Sequence, residues 1–261
     1  YVTATGLRKG LQAGTYELNP NNTLAEIADI LGNGRVSRNV LVVPEGANIF
    51  QIEELAQEKG ISQKEFKEAL EASYPNDFLA GRPKGVTSLE GYLFPDSYDV
   101  NKPVRPKAVV QSMLDNFAKQ LNEHPEIIEG FAAQGLTLHQ GVTLASIVER
   151  EVPGDEDRKL VAGVFLNRLK AGQPLQSDVT VAYAAKALDK PFDLRLDSTY
   201  NTYLYKGIPP APISNPGLSA LRAVAQPQQT DYLYFLADKS GKTHYTKTFE
   251  EHQQNVDKYL K

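Results

Sequence analysis

A chain of 261 residues with 41% hydrophobic, 23% charged and 9% aromatic side chains has the composition of a folded protein, large enough for one large domain or two small ones. Lys and Arg together number 28 against 32 Asp and Glu, a net charge of −4, so the basic surface that draws a protein to nucleic acid is missing. There is no cysteine, which excludes disulfides, thiol nucleophiles and Cys-ligated zinc, and the histidines (His124, His139, His244, His252) are scattered rather than spaced for a metal.

In chain order, Gly14-Thr-Tyr-Glu-Leu18 reads as a short strand. Thr23, three residues before Glu26, opens an amphipathic helix with Leu24, Ile27, Ile30 and Leu31 on one side, and Gly32-Asn33-Gly34 stops it. Val40 to Val43 is a second strand closed by Pro44. Asn48 with Gln51 caps a helix that runs to Gly60, and Ser62 with Glu65 opens another. Residues 10–72 therefore spell strand, helix, strand, helix, helix, a compact α+β unit. Between Tyr74 and Pro106 recurrent Pro and Gly interrupt regular structure, and a domain boundary is expected there, near residue 80. Within that stretch Leu89-Glu-Gly-Tyr-Leu-Phe-Pro-Asp-Ser-Tyr98 is both aromatic and acidic, and its plain reading is a packed loop with Tyr92, Phe94 and Tyr98 as core plugs. The remainder is mainly helical, at 107–122, 126–134, 138–151, 156–171 and 217–225. A β-hairpin follows from segments 231–238 and 243–246, and Thr248 with Glu251 opens a last helix. The fold class expected is α+β, with a mainly helical second part ending in the hairpin.

The segment Leu138-His-Gln-Gly-Val-Thr-Leu-Ala-Ser-Ile-Val-Glu-Arg-Glu151, capped by Thr137 and Gln140, is the most informative. At about 100° per residue, Leu144, Ile147, Val148 and Glu151 share one stripe, while Leu138, Val142, Ala145 and Glu149 share another. Only His139, Thr143, Ser146 and Arg150 form a narrow polar face, so the helix is largely buried, with two carboxylates continuing its apolar stripes. A carboxyl in that position has its pKa raised by desolvation and by the negative end of the helix dipole, which suits a general acid near neutral pH. The plain alternative is that Glu149 and Glu151 emerge at the helix end and pair with Arg150, Arg158, Arg168 or Arg222.

Leu175-Gln-Ser-Asp-Val-Thr180 and Ser198-Thr-Tyr-Asn-Thr-Tyr203 are rich in short hydrogen-bonding side chains and tyrosines, the combination that holds sugars in a groove. Gly207-Ile-Pro-Pro-Ala-Pro-Ile-Ser-Asn-Pro-Gly217 would form a rigid wall beside them. The sequence carries no GxGxxG, GxxxxGK[ST], HExxH or GxSxG pattern, so nucleotide, zinc-protease and α/β-hydrolase readings lose their usual support. No apolar run approaches the roughly 18 to 20 residues of a membrane helix.

Leu144-Ala-Ser-Ile-Val-Glu-Arg-Glu151, Val164-Phe-Leu-Asn-Arg-Leu169, Leu175-Gln-Ser-Asp-Val-Thr180, Tyr200-Asn-Thr-Tyr203, Gly207-Ile-Pro-Pro210 and Tyr232-Leu-Tyr-Phe235, in this order, resemble the MltG/YceG-like endolytic murein transglycosylases. Leu89 to Asp96 and Val43-Pro-Glu-Gly46 fit as well, so the resemblance spans nearly the whole chain. It implies a LysM-like glycan-binding module at 1–80 and a catalytic domain at 81–261. The implied activity is non-hydrolytic cleavage of the β-1,4 bond between N-acetylmuramic acid and N-acetylglucosamine, with no cofactor, leaving 1,6-anhydro-muramyl ends. The implied partners are peptidoglycan glycan strands and wall synthases of the elongation and division machinery. The implied place is the extracytoplasmic face of the membrane, with the missing initiator Met read as the mark of an ectodomain cut from its N-terminal anchor. By the family's Val-Glu-x-Glu motif the catalytic acid is Glu151. Gln176, Asp178, Tyr200, Asn201 and Tyr203 are expected to line the groove, with Glu149, grouped with these substrate-binding residues, a structural or orienting neighbour. Two other readings stay open: a muramidase-type hydrolase using Glu151 with Asp178 or Glu149, and a non-catalytic wall-binding scaffold.

Overall fold

Wherever the sequence offers a capping box, a helix begins there in the computed structural model, which describes residues 23–32 and 39–260. Helix α1 (Leu24–Gly32) starts with Glu26 N–H donating to Thr23 Oγ1 at 3.3 Å and Thr23 N–H to Glu26 Oε2 at 2.7 Å. The same reciprocal pair opens α2 (Ile49–Glu58) at Asn48/Gln51 and α3 (Gln63–Leu70) at Ser62/Glu65, each satisfying two N–H groups that a helix start otherwise leaves unpaired. The strand expected at 14–18, and Asn33 and Gly34 of the expected helix stop, lie outside the described residues.

Strand β1 (Val40–Val42) pairs antiparallel with β2 (Ser97–Asp99), Leu41 opposite Tyr98. The sequence shows no strand at 97–99: three residues inside a Pro-rich loop carry no alternation to detect, and the partner lies more than fifty residues upstream. Helices α4 (Pro106–Glu123) and α5 (Pro125–Ala133) follow, then α6 (Leu138–Glu151) and α7 (Asp155–Lys170). A helix not among those expected from the sequence, α8 (Asp178–Ala187), comes after them. Next come α9 (Leu218–Ala225), the hairpin β3 (Tyr234–Ala237) and β4 (Thr243–Thr246), and α10 (Phe249–Tyr259). The class is α+β with helix dominant and two small antiparallel sheets. No helix among the described residues is long and apolar enough to cross a membrane.

One hydrophobic core runs through β1, α2, α3, the 89–98 loop and the helices around α6, joining Leu41, Ile52, Phe66, Tyr92, Phe117 and Ile147. Tyr92, Phe94 and Tyr98 are buried, as the packed-loop reading expects. Helix α9 packs against α5, α6 and α7, and Phe235 of β3 meets Phe165 of α7 edge to face at 5.8 Å, which ties the hairpin to the core.

The α5–α6 contact depends on the absence of a side chain at Gly141, where a Cβ would stand 2.3 Å from the Phe131 ring. Ala favours a helix over Gly by about 1 kcal/mol, but overpacking a core costs roughly 1–3 kcal/mol or more, so the clash wins. We expect Gly141→Ala to lower the melting temperature by several degrees in circular dichroism; an unchanged or raised value would show that Phe131 moves aside freely.

Candidate active site

Helix α6 is buried on every side for most of its length. Its polar face faces inward and is satisfied within the fold. Thr143 Oγ1 donates to the His139 carbonyl and Ser146 Oγ to the Thr143 carbonyl, each at 2.7 Å. The Ile213 N–H donates to Ser146 Oγ at 3.0 Å, and Ser214 Oγ to the Ser146 carbonyl at 3.0 Å. His139 Nε2 lies 2.8 Å from the Pro210 carbonyl and must donate to it, which leaves Nδ1 to accept from the Tyr92 hydroxyl at 2.7 Å. The proline-rich segment expected as a wall is thus strapped along α6, with Ala211, Ile213, Ser214 and Asn215 buried.

The two glutamates at the end of α6 meet opposite surroundings. Glu149 is bound through both oxygens: Oε1 pairs with Arg158 Nη2 of α7 at 2.5 Å, and Oε2 accepts the N–H of Gly217, the N-cap of α9, at 3.0 Å. Burial pushes its carboxyl upward against the pull of the Gly217 N–H and Arg158. With both oxygens engaged and its side chain 3% exposed, Glu149 fits the structural role expected of it rather than a contact with substrate. Glu151 is half-buried and has no cation against it among the described residues; its Oε1 accepts from Ser177 Oγ at 2.5 Å. Burial pushes the Glu151 carboxyl up to about 7; the Asp178 charge adds to this and the Ser177 hydroxyl opposes it.

Ser177 is itself held in place. Its N–H donates to Thr202 Oγ1 at 3.0 Å, and Thr180 Oγ1, which donates to the Ser177 carbonyl at 2.7 Å, lies 2.9 Å from Thr202 Oγ1. Gln176 adopts φ +53°, a left-handed conformation unfavourable for a side chain larger than glycine, and Arg168 maintains it by donating to Gln176 Oε1 and to the Pro174, Leu175 and Leu233 carbonyls. Tyr203 donates its hydroxyl to Asp178 Oδ1 at 2.5 Å.

Gln176, Asp178 and Tyr203 therefore gather near Glu151, with Gln176 and Asp178 exposed and Tyr203 half-buried. Tyr200 sits apart from them, its ring 5.1 Å from that of Tyr183 on α8. Asn201, expected to line the groove, is 0% exposed; its amide nitrogen donates to the Leu194 and Leu196 carbonyls and its Oδ1 accepts the Tyr203 N–H, so it shapes the 194–203 loop instead.

Sequence reasoning missed Glu90, which is 1% exposed. It accepts from the Ile49 N–H at the start of α2 at 3.0 Å, from Asn215 Nδ2 at 2.9 Å and from the Tyr183 hydroxyl at 3.2 Å, and burial raises its carboxyl to about 8 against these donors. The only local signal was an acid embedded in an otherwise core-forming loop. Ser177, Thr180 and Thr202 were also missed as a unit, since hydroxyls that are 22 to 25 residues apart announce nothing until the chain folds.

The YceG-like family model matches residues 1–258. An endolytic murein transglycosylase of Bacillus subtilis (strain 168) is 37% identical, with all of this chain and 76% of that protein covered. One of Streptococcus pneumoniae (serotype 2, strain D39) is 32% identical over 96% of this chain and 51% of that protein. The crystal structure of a yceG-like protein from Listeria monocytogenes superposes with a TM-score of 0.73 at 30% identity, covering 97% of this chain and 87% of that one.

The raised carboxyl of Glu151 has a consequence for stability. The native state holds this proton more tightly than the unfolded chain between about pH 4.5 and 7, so stability falls as pH rises through that window and the deficit persists above it. We expect Glu151→Gln, neutral at all pH, to match the wild type in thermal stability near pH 4 and to exceed it by about 1–3 kcal/mol at pH 8. A difference independent of pH would show that the carboxyl titrates normally.

Proposed function

Because the chain belongs to the YceG-like family, we propose that it is an endolytic murein lytic transglycosylase, cutting the β-1,4 bond between N-acetylmuramic acid and N-acetylglucosamine inside glycan strands without water. The observation that carries this reading is Glu151: a carboxyl at the end of a buried helix, raised to about 7, bonded to one fixed hydroxyl and opening among exposed polar side chains. The names of the Bacillus and Streptococcus relatives point the same way.

In the proposed reaction the protonated Glu151 donates its proton to the leaving glycosidic oxygen as the bond to muramyl C1 breaks. The resulting carboxylate then takes the proton of the muramyl C6 hydroxyl while O6 attacks C1, closing the 1,6-anhydro ring and returning Glu151 to its acid form. Acid and base are one residue used in turn, and the nucleophile belongs to the substrate. A hydrolase needs a second free carboxylate, as nucleophile or to activate water. Glu149 is locked between Arg158 and Gly217, and Asp178 receives the Tyr203 hydroxyl, an arrangement suited to orienting a sugar. Gln176, Asp178 and Tyr203 are the proposed sugar contacts; Tyr200, packed on Tyr183, stands apart from them.

The N-terminal region, drawn in the sequence at 1–80, is read as a LysM-like glycan-holding module serving the catalytic part at 81–261. What supports it is the small unit of β1, α2 and α3; because β1 pairs with β2 at 97–99, that unit reaches past residue 80. The proposed setting is the extracytoplasmic side of the cell membrane, alongside the synthases that extend the strands.

Mass spectrometry of ends released from purified glycan strands tests the reading: anhydro ends from the wild type, and a loss of about 100-fold or more for Glu151→Gln with fold retained. New reducing ends would make the enzyme a hydrolase, and undiminished cleavage by the variant would remove Glu151 from the chemistry. Ser177→Ala withdraws the hydroxyl that favours the carboxylate, so the alkaline limb of kcat/KM, expected near pH 7 in the wild type, should move to higher pH. A limb that stays put would show that Ser177 does not tune Glu151.

A further inference from the structure

A groove of about 1490 Å³ opens between α2, α3 and the segment 72–89, lined by none of the residues around Glu151. Most of its charges (Glu54, Lys67, Glu71, Asp77 and Lys186) are exposed to water; the two that are not, Glu53 and Arg82, lack a counter-ion among the described residues. Glu53 on α2 is 7% exposed as a residue, has no hydrogen-bond or ion-pair partner among the described residues, and keeps its carboxylate oxygens open to the groove. Arg82 is fixed in position by three carbonyls: its Nε donates to Leu79 at 3.0 Å and its Nη1 to Thr87 and Ser88 at 2.8 and 2.9 Å. No carboxylate lies within ion-pair distance of it among the described residues, and its Nη2 has no hydrogen-bond partner there. Phe50, Leu70 and Tyr74 supply apolar surface to the same groove.

An unmatched carboxylate and an immobilised guanidinium in one groove complement a ligand that carries both an ammonium and a carboxylate on a partly apolar frame. Neither uncharged sugar nor a simple anion would satisfy both. We infer that this groove binds a short zwitterionic peptide, its primary ammonium on Glu53 and its carboxylate on Arg82. Resting on the function proposed above, that peptide is the side chain borne by the muramyl residues of the glycan, so the groove reads the decoration of the strand while Glu151 acts on its backbone. The lining residues Glu54 and Lys186 pair with each other at 3.8 Å and, being exposed, contribute little.

Titration calorimetry of the full chain with N-acetyl-L-Ala-γ-D-Glu-L-Lys, which like the strand-borne peptide keeps only the lysine ammonium, tests this. Saturable binding is expected, weakened about tenfold or more by Glu53→Gln and by Arg82→Gln, as loss of a charge-assisted hydrogen bond predicts. The same peptide with its lysine amine acetylated as well should bind the wild type correspondingly weakly, a readout that needs no variant to fold. Absence of saturable binding by the peptide with a free lysine amine, or equal binding with and without the lysine acetyl group, would overturn the inference. So would chitotetraose competing with the tripeptide and binding Glu53→Gln undiminished, which would make the groove a sugar site. No glycan bond is broken in this assay, so its failure leaves the cleavage reading standing, and failure of cleavage leaves the binding result standing.

Discussion

Between its first and last turns helix α6 has no solvent-facing side, and that constraint sets the chemistry of the residues that end it. A carboxyl on such a helix either finds a cation and becomes structural, or stays without one and holds its proton to near neutral pH. The two outcomes occur two residues apart. Glu149 meets Arg158 and the Gly217 N–H and joins α6 to α7 and α9. Among the described residues Glu151 meets only the Ser177 hydroxyl, with the Asp178 charge nearby to discourage ionisation further. Environment, more than residue type, divides the labour between them.

Much of the surrounding fold can be understood as holding that environment in place. The strap of residues 210–217 closes α6 from one side through Ser146, while Thr180, Thr202 and Arg168 fix the turn that delivers Ser177 and Gln176. Asn215 extends the arrangement toward the N-terminal unit. Its side-chain oxygen accepts the Gly91 and Leu93 N–H groups and its nitrogen donates to Glu90 and to the Ala47 carbonyl, so the strap, the aromatic loop and the start of α2 share one buried hydrogen-bonded centre. The N-terminal unit and α6 are thereby joined through the core rather than across a flexible linker.

What was legible in the sequence was what local physics specifies. Capping boxes at Thr23, Asn48, Ser62, Thr137 and Thr248 are decided within four residues, and each opens a helix. The stripes of α6 announced its burial and brought Glu149 and Glu151 forward. What depends on distant partners was not legible. Strand β2 exists because β1 pairs with it; α8 lacks an apolar stripe to mark it; and Glu90 owes its burial to Asn215, 125 residues away. Asn201 misled because an amide beside tyrosines looks the same on a sugar-binding surface as inside a loop, where its partners are backbone carbonyls.

The account turns on whether Glu151 keeps its proton near neutral pH in the folded enzyme. A carboxyl-carbon NMR titration of protein labelled at glutamate, with the Glu151 resonance identified by its absence in Glu151→Gln, measures this directly. The account predicts a midpoint near 7. A midpoint close to the ordinary glutamate value of about 4.5 would mean that the end of α6 is solvated, and would contradict the assignment of Glu151 as the acid.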